Sequence, residues 1–93
     1  MDVLNILKSR QHEIKQRFRV KRIGLFGSFA RGEAGPQSDV DILVELDRLS
    51  FRNFMNLAFF LEDLFQRKVD LVTPEGLSPY IRPYVEKEVV WSE

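Results

Sequence analysis

Gly27-Ser28 and Asp39-Val40-Asp41, separated by ten residues, are the two segments from which the architecture of this chain can be worked out. The first segment ends the stretch 21–28, whose apolar residues Ile23, Leu25 and Phe26 predict a strand that closes in a small-residue turn. The second begins a run at 39–46 with apolar residues at every second position. This alternation predicts a strand with one buried face and one mostly open face, and it places Asp39 and Asp41 on the open face.

The rest of the chain contains patterns for further helices and one further strand. In chain order, the predicted elements are a helix at 2–17, a strand at 21–28, a helical turn at 29–32, a loop at 33–38, a strand at 39–46, a helix at 51–66, a strand at 68–73 and a helix from about 78 to about 90. Ser28 is the predicted cap of the helical turn and Gly32 its end, while Ser50 caps the helix that follows the second strand. In the last helix, Pro79 suits the first turn, whereas Pro83 is harder to accommodate and favours a later start.

This order of elements predicts one small domain built of a sheet and helices. The sequence α-β-(turn)-β-α-β-α favours a two-layer α/β domain with a three-stranded mixed sheet and helices packed on one face. The short connection between the first two strands favours antiparallel pairing, and the helix before the third strand permits a parallel crossover. We expect residues 1–93 to form a single domain, because a chain of 93 residues supports one core.

The composition narrows the classes of protein to which the chain can belong. Hydrophobic residues make up 44% and charged residues 30%, which is ordinary for a folded soluble protein. The absence of cysteine excludes disulfides and thiolate metal sites and is consistent with a cytoplasmic location. The start of the sequence lacks the pattern of a signal peptide, and no apolar run is long enough to cross a membrane. A formal net charge of +0 gives no overall electrostatic support for binding nucleic acid.

Three aspartates are the candidate metal ligands. Asp39 and Asp41 lie at positions i and i+2 of a strand, about 6.6 Å apart on one face. Asp70 alternates with Val69 and Leu71 in the same way, so it is expected on the same open face of the sheet. Such a triad could hold two metal ions about 3.5–4 Å apart, and Asp70 could accept a proton from an attacking hydroxyl. The simpler interpretation is a solvated strand surface, and for Asp70 alone an edge-strand charge that discourages aggregation.

The Gly-Ser turn is the candidate phosphate site. Gly27 has no side chain and lets a ligand approach the backbone closely. Ser28 and the amides that follow it can donate hydrogen bonds to phosphate oxygens, and the guanidinium of Arg31 can pair with a triphosphate. A Gly-Ser pair by itself carries little information, and an ordinary turn explains it equally well. Acidic residues and turn together favour metal-assisted chemistry on a nucleoside triphosphate.

The combined pattern resembles a known family. Gly27-Ser28, ten intervening residues and Asp39-Val40-Asp41 are similar to the signature of the minimal nucleotidyltransferases, within the DNA polymerase β-like superfamily. The segments around the motif and Val69-Asp70-Leu71-Val72 extend the resemblance over essentially the whole chain. So short a chain resembles the stand-alone antitoxins that are encoded beside HEPN-domain toxins, in pairs of the type VII kind.

The resemblance implies a specific reaction and specific roles. It implies Mg²⁺-dependent transfer of AMP from ATP to a hydroxyl of the HEPN-domain toxin, with tyrosine as the expected acceptor. Carried over by position, Asp39, Asp41 and Asp70 would be catalytic and would bind the metal, with two ions in the site. Gly27 and Ser28 would hold the triphosphate, with Arg31 as a further contact.

Two other functions remain open at this point. The chain could be a binding module that neutralises a partner protein by occlusion. A domain of this size is expected to depend on a partner whether it acts as an enzyme or as a binding module, and it could form a homo- or hetero-oligomer. Transfer onto a nucleic acid is disfavoured by the formal net charge of +0.

Overall fold

The structure is a computed structural model that describes residues 1–93. Its elements, in chain order, are α1 Val3–Phe18, β1 Val20–Phe26, α2 Gly27–Arg31, β2 Val40–Leu46, α3 Phe51–Phe65, β3 Val69–Val72, a 3-10 turn at Pro74–Gly76, α4 Arg82–Glu88 and β4 Val90–Trp91. Apart from the last helix, the predicted helices and strands are confirmed to within two residues at each end. No helix combines the length and the apolar character that are needed to cross a bilayer.

The sheet is mixed and has the strand order β3-β2-β1-β4. β1 pairs with β2 in the antiparallel sense, and β2 pairs with β3 in the parallel sense, as the connection lengths predict. The prediction of three strands is wrong, because β4 forms a fourth, antiparallel to β1. This strand has only two residues, which is too short for alternation to reveal it.

Two helices cover one face of the sheet and enclose the main core. Apolar residues at helical spacing form the buried sides of both helices: Leu7 and Ile14 of α1, and Leu57 and Leu61 of α3, are completely buried in one cluster with the strands. Asp2 caps α1 and Ser50 caps α3, each by accepting a hydrogen bond from a backbone N–H three residues on. The core therefore fixes β2 with its apolar alternate residues inward and its aspartates outward.

The second face of the sheet is not open, which corrects the prediction that helices pack on one face only. Leu43 of β2 is completely buried, although it points away from the main core, and Val85 of α4 is buried outside that core as well. Arg82 and Glu86 of α4 line the same cleft as Glu45 of β2. The short helix α4 therefore lies against the face that carries the aspartates.

The boundaries of the two short helices also differ from the prediction. α4 begins at Arg82 rather than near Ser78 and ends at Glu88, and Pro83 stands in its first turn, where its missing N–H is no disadvantage. The helical turn α2 begins at Gly27, so Phe26 rather than Ser28 occupies the cap position, and no side chain caps it. Gly32 ends α2 in the left-handed conformation, as predicted.

Candidate active site at the end of strands β1, β2 and β3

The centre of the site is the contact between Gly27 and Asp41. Asp41 pairs with Phe26 across β1 and β2, so its side chain stands beside the start of α2. Gly27 has φ +72, a conformation that favours glycine. A Cβ at this position would overlap Oδ2 of Asp41 and lie 2.8 Å from its Cγ. The sequence therefore needs glycine here for two reasons, and the absent side chain is what lets the carboxylate lie against the turn.

Strand register brings the other two aspartates to the same place. Asp41 is in register with Asp70 on the parallel neighbour β3. Neighbouring strands lie about 4.8 Å apart, and residues in register share a face. Asp39 immediately precedes β2 and is exposed, as is Asp70, whereas Asp41 is partly buried. The expectation that the three aspartates lie on one face is therefore met by the fold.

The electrostatics of Asp41 reflect this crowding. Burial first, and then the carboxylates of Asp70 and Asp39, raise the pKa of Asp41 above its ordinary value, while Arg31 acts in the opposite direction. Glu88 adds further negative charge at the same point. Four carboxylates and one guanidinium thus act on each other at the end of the strands, and the acid side chains outnumber the basic one.

The donor set suits a hard divalent cation, although it is not closed around one. Mg²⁺ prefers oxygen ligands, is commonly held by one or two carboxylates together with substrate phosphates, and keeps waters elsewhere. No group of three acid side chains is already gathered at metal-binding distances. A cation held by all three aspartates would therefore require side-chain rotation, and it would offset the repulsion that adds to burial in raising the pKa of Asp41.

The predicted phosphate-binding residues lie beside the acids. Ser28 follows Gly27 in the first turn of α2 and is partly buried, and Arg31 ends that helix. Arg31 donates to Glu33 at 2.7 Å through Nε and to Glu88 at 2.6 Å through Nη1. These carboxylates raise the pKa of Arg31, so the guanidinium stays charged. All six predicted site residues thus lie at the same end of strands β1, β2 and β3, and their roles remain predictions.

Glu88 is the residue of the site that the sequence did not reveal. Its Oε2 accepts a hydrogen bond of 2.8 Å from the backbone N–H of Gly27, which is 61 positions away in the chain. Nothing in the pattern around Glu88 distinguishes it from Glu86, which pairs with Arg82 within α4. Only the fold shows that the end of α4 meets the beginning of α2.

Comparison with known proteins places the chain in a family. The family model of the nucleotidyltransferase domain matches residues 7–92. The chain is 42% identical over 91 residues to the protein adenylyltransferase MntA of Thermococcus cleftensis, covering 97% of this chain and 92% of that protein. A solved structure described as a candidate minimal nucleotidyltransferase superposes with a TM-score of 0.78 at 34% identity, over 94% of this chain and 93% of that one.

A more distant structure shares the fold. It is the MNT antitoxin in complex with a tri-AMPylated HEPN toxin of Shewanella oneidensis, with a TM-score of 0.69 at 20% identity, covering 97% of this chain and 71% of that one. The family model and the similarity to MntA confirm the resemblance drawn from the Gly-Ser and Asp-x-Asp segments. The chain belongs to the nucleotidyltransferase domain family and is a homologue of the MntA protein adenylyltransferase.

Proposed function

We propose that this protein is a Mg²⁺-dependent protein adenylyltransferase that transfers AMP from ATP to a tyrosine hydroxyl of a HEPN-domain toxin and thereby acts as its antitoxin. The observation that carries the proposal is the placement of the Asp41 carboxylate against Gly27, with Asp70 in register beside it. Acids and phosphate-binding turn are therefore neighbours, as a reaction at a nucleotide phosphate requires. The homology to MntA supplies the class of acceptor.

The chemistry is a displacement at the α-phosphorus of ATP. The acceptor hydroxyl oxygen forms a bond to that phosphorus, the bond to the bridging oxygen breaks, and diphosphate leaves. Asp39, Asp41 and Asp70 would hold the metal, which when bound neutralises charge on the phosphate oxygens. The residues of this chain otherwise hold the reactants in position, which accounts for a large share of catalysis in phosphoryl transfer.

Individual residues have separate tasks in this scheme. A tyrosine hydroxyl has a pKa of about 10, so it reacts faster when a base removes its proton. Asp70 is exposed on the edge strand β3, where an acceptor from another protein can reach it, and we assign it that task. Gly27, Ser28 and Arg31 bind the triphosphate, and the lack of a side chain at Gly27 lets it lie close to Asp41.

The test is transfer of label from radioactive ATP to the HEPN-domain partner that the proposal requires, purified and mixed with this chain. We expect Mg²⁺-dependent labelling, an increase in the mass of the partner by a whole number of AMP groups, and loss of both in an Asp39→Asn, Asp41→Asn double variant. Asp63→Asn is the matched control, since Asp63 is an exposed carboxylate on α3, away from the site. Unchanged labelling by the double variant, or none by the native chain, would refute the proposal.

The same variants separate catalysis from occlusion. If the double variant still binds the toxin but no longer protects cells from it, neutralisation is catalytic. If protection survives the two substitutions, the chain neutralises by occupying the toxin surface, and the adenylyltransferase proposal fails as an account of the antitoxin effect.

A further inference from the structure

Glu88 engages two of the groups that the proposed function assigns to the triphosphate. One oxygen, Oε2, accepts from the Gly27 N–H at 2.8 Å, and the other, Oε1, accepts from Nη1 of Arg31 at 2.6 Å. A single carboxylate therefore bridges a backbone donor and a guanidinium. These are the two kinds of donor that proteins commonly use to bind phosphate oxygens.

A phosphate and this carboxylate compete for the same donors. The Gly27 N–H is one hydrogen and makes one good hydrogen bond at a time. The Nη1 donor of Arg31 is likewise directed at Glu88 rather than at the aspartates. A triphosphate that used both donors would have to displace the carboxylate, and it would otherwise meet the negative charge of Glu88 at close range.

The Glu88 carboxylate can leave by rotation of its side chain, while the backbone beyond it stays paired through β4 with β1. Glu88 is the last residue of α4, a helix of seven residues in which only Val85 is buried. The Glu88 side chain is 27% exposed and the Arg31 side chain is 49% exposed, so solvent reaches both. Moving Glu88 outward removes one of the charges that crowd Asp41, whereas the core formed by α1, α3 and the sheet does not include it.

We propose that Glu88 is an internal competitor of the nucleotide, which occupies the triphosphate-binding donors in the free protein and sets its affinity for ATP. This inference rests on the proposed function, because it takes Gly27 and Arg31 as phosphate-binding groups. Glu88 is thus an affinity-determining residue of the site and touches no reacting atom.

The experiment measures dissociation constants of the full chain without its partner, in the presence of Mg²⁺, by titration calorimetry. The variants are Glu88→Gln, which keeps the shape and removes the charge, and Glu88→Ala, which removes both contacts. Glu86→Gln is the matched control, because it removes the same charge from the same helix at a residue that pairs with Arg82 instead. The probes are ATP, inorganic diphosphate and adenosine.

We expect Glu88→Gln and Glu88→Ala to bind ATP and diphosphate about tenfold more tightly than the native chain, since charge-assisted contacts no longer have to be broken. Adenosine binding should be unchanged, and Glu86→Gln should match the native chain for all three probes. Equal or weaker binding of ATP by the Glu88 variants would overturn the inference, as would an equal gain in Glu86→Gln.

Failure of this inference can be told apart from failure of the proposed function. If labelled AMP reaches the partner but the Glu88 variants show no gain in affinity, the inference alone is overturned. If neither the native chain nor any variant binds ATP or diphosphate, both are overturned.

Discussion

Replacing Gly27 by alanine tests the arrangement on which the site depends. Gly27 has φ +72, and an added Cβ would overlap Oδ2 of Asp41 and lie 2.8 Å from Cγ. The backbone is therefore strained by any side chain, and the carboxylate has no room to stay where it is. Because the obstructed atoms are the end of a side chain, Asp41 can rotate away while the fold persists.

The two consequences have different magnitudes. A left-handed conformation costs a non-glycine residue about 1–2 kcal/mol, so we expect the free energy of unfolding to fall by that amount. In a domain of this size each 1 kcal/mol lowers the melting temperature by about 4–8 °C. The carboxylate must move by about 1 Å, and misplacement on that scale can reduce catalysis about 10²-fold. Transfer of AMP should therefore fall far more than stability does.

Gly32→Ala is the control that separates the two effects. Gly32 has φ +73, nearly the same backbone conformation, but no atom lies within 4 Å of an added Cβ. Both variants should lose similar stability in urea denaturation, and only Gly27→Ala should lose transfer of labelled AMP to the partner. The assay is run at a temperature well below both melting points, so that the folded fraction is the same.

Two results would refute this reasoning. If Gly27→Ala transfers AMP as well as Gly32→Ala does, the contact between Gly27 and the Asp41 carboxylate does not matter for catalysis. If Gly27→Ala fails to fold while Gly32→Ala is stable, Asp41 cannot rotate away as supposed.

Two further predictions concern the face of the sheet that α4 covers. Arg22 donates to Glu45 at 3.0 Å and lowers the pKa of that carboxyl. The pair therefore stabilises the fold at any pH above the ordinary pKa of glutamate, and this contribution is lost as the pH falls from that pKa through the lowered pKa of Glu45. Both side chains are partly exposed, so urea denaturation should show Arg22→Gln losing about 0.5 kcal/mol near pH 7 and less near pH 3.5, and an equal loss at both would contradict the assignment. Gly24→Ala would place a Cβ 2.9 Å from the carbonyl oxygen of Val90, a backbone atom that cannot rotate away, and should lower the free energy of unfolding by about 1–3 kcal/mol. The control is Gly35→Ala, where an added Cβ meets nothing within 4 Å, and equal stability of the two variants would refute the clash.

The sequence alone determined the elements whose signals are local. Apolar residues alternate along β2 and recur at helical spacing along α1 and α3, so the sequence of each element indicates which of its faces is buried. The alternation along β2 also determined that Asp41 points away from the core, because a shift of the strand by one residue would turn Asp41 inward and bury its charge. The lengths of the two connections were enough to predict the antiparallel and the parallel pairing that the sheet shows.

The tertiary structure decided what depends on distant segments meeting. A two-residue strand such as β4 has no period to read, and its position is set by pairing with β1. Leu43 looks like an exposed residue of an alternating strand and is buried because α4 lies on that face. Glu88 joins the site only because the chain returns after 61 residues to the Gly27 N–H. The residues around Glu88 in the sequence show no pattern that predicts this contact.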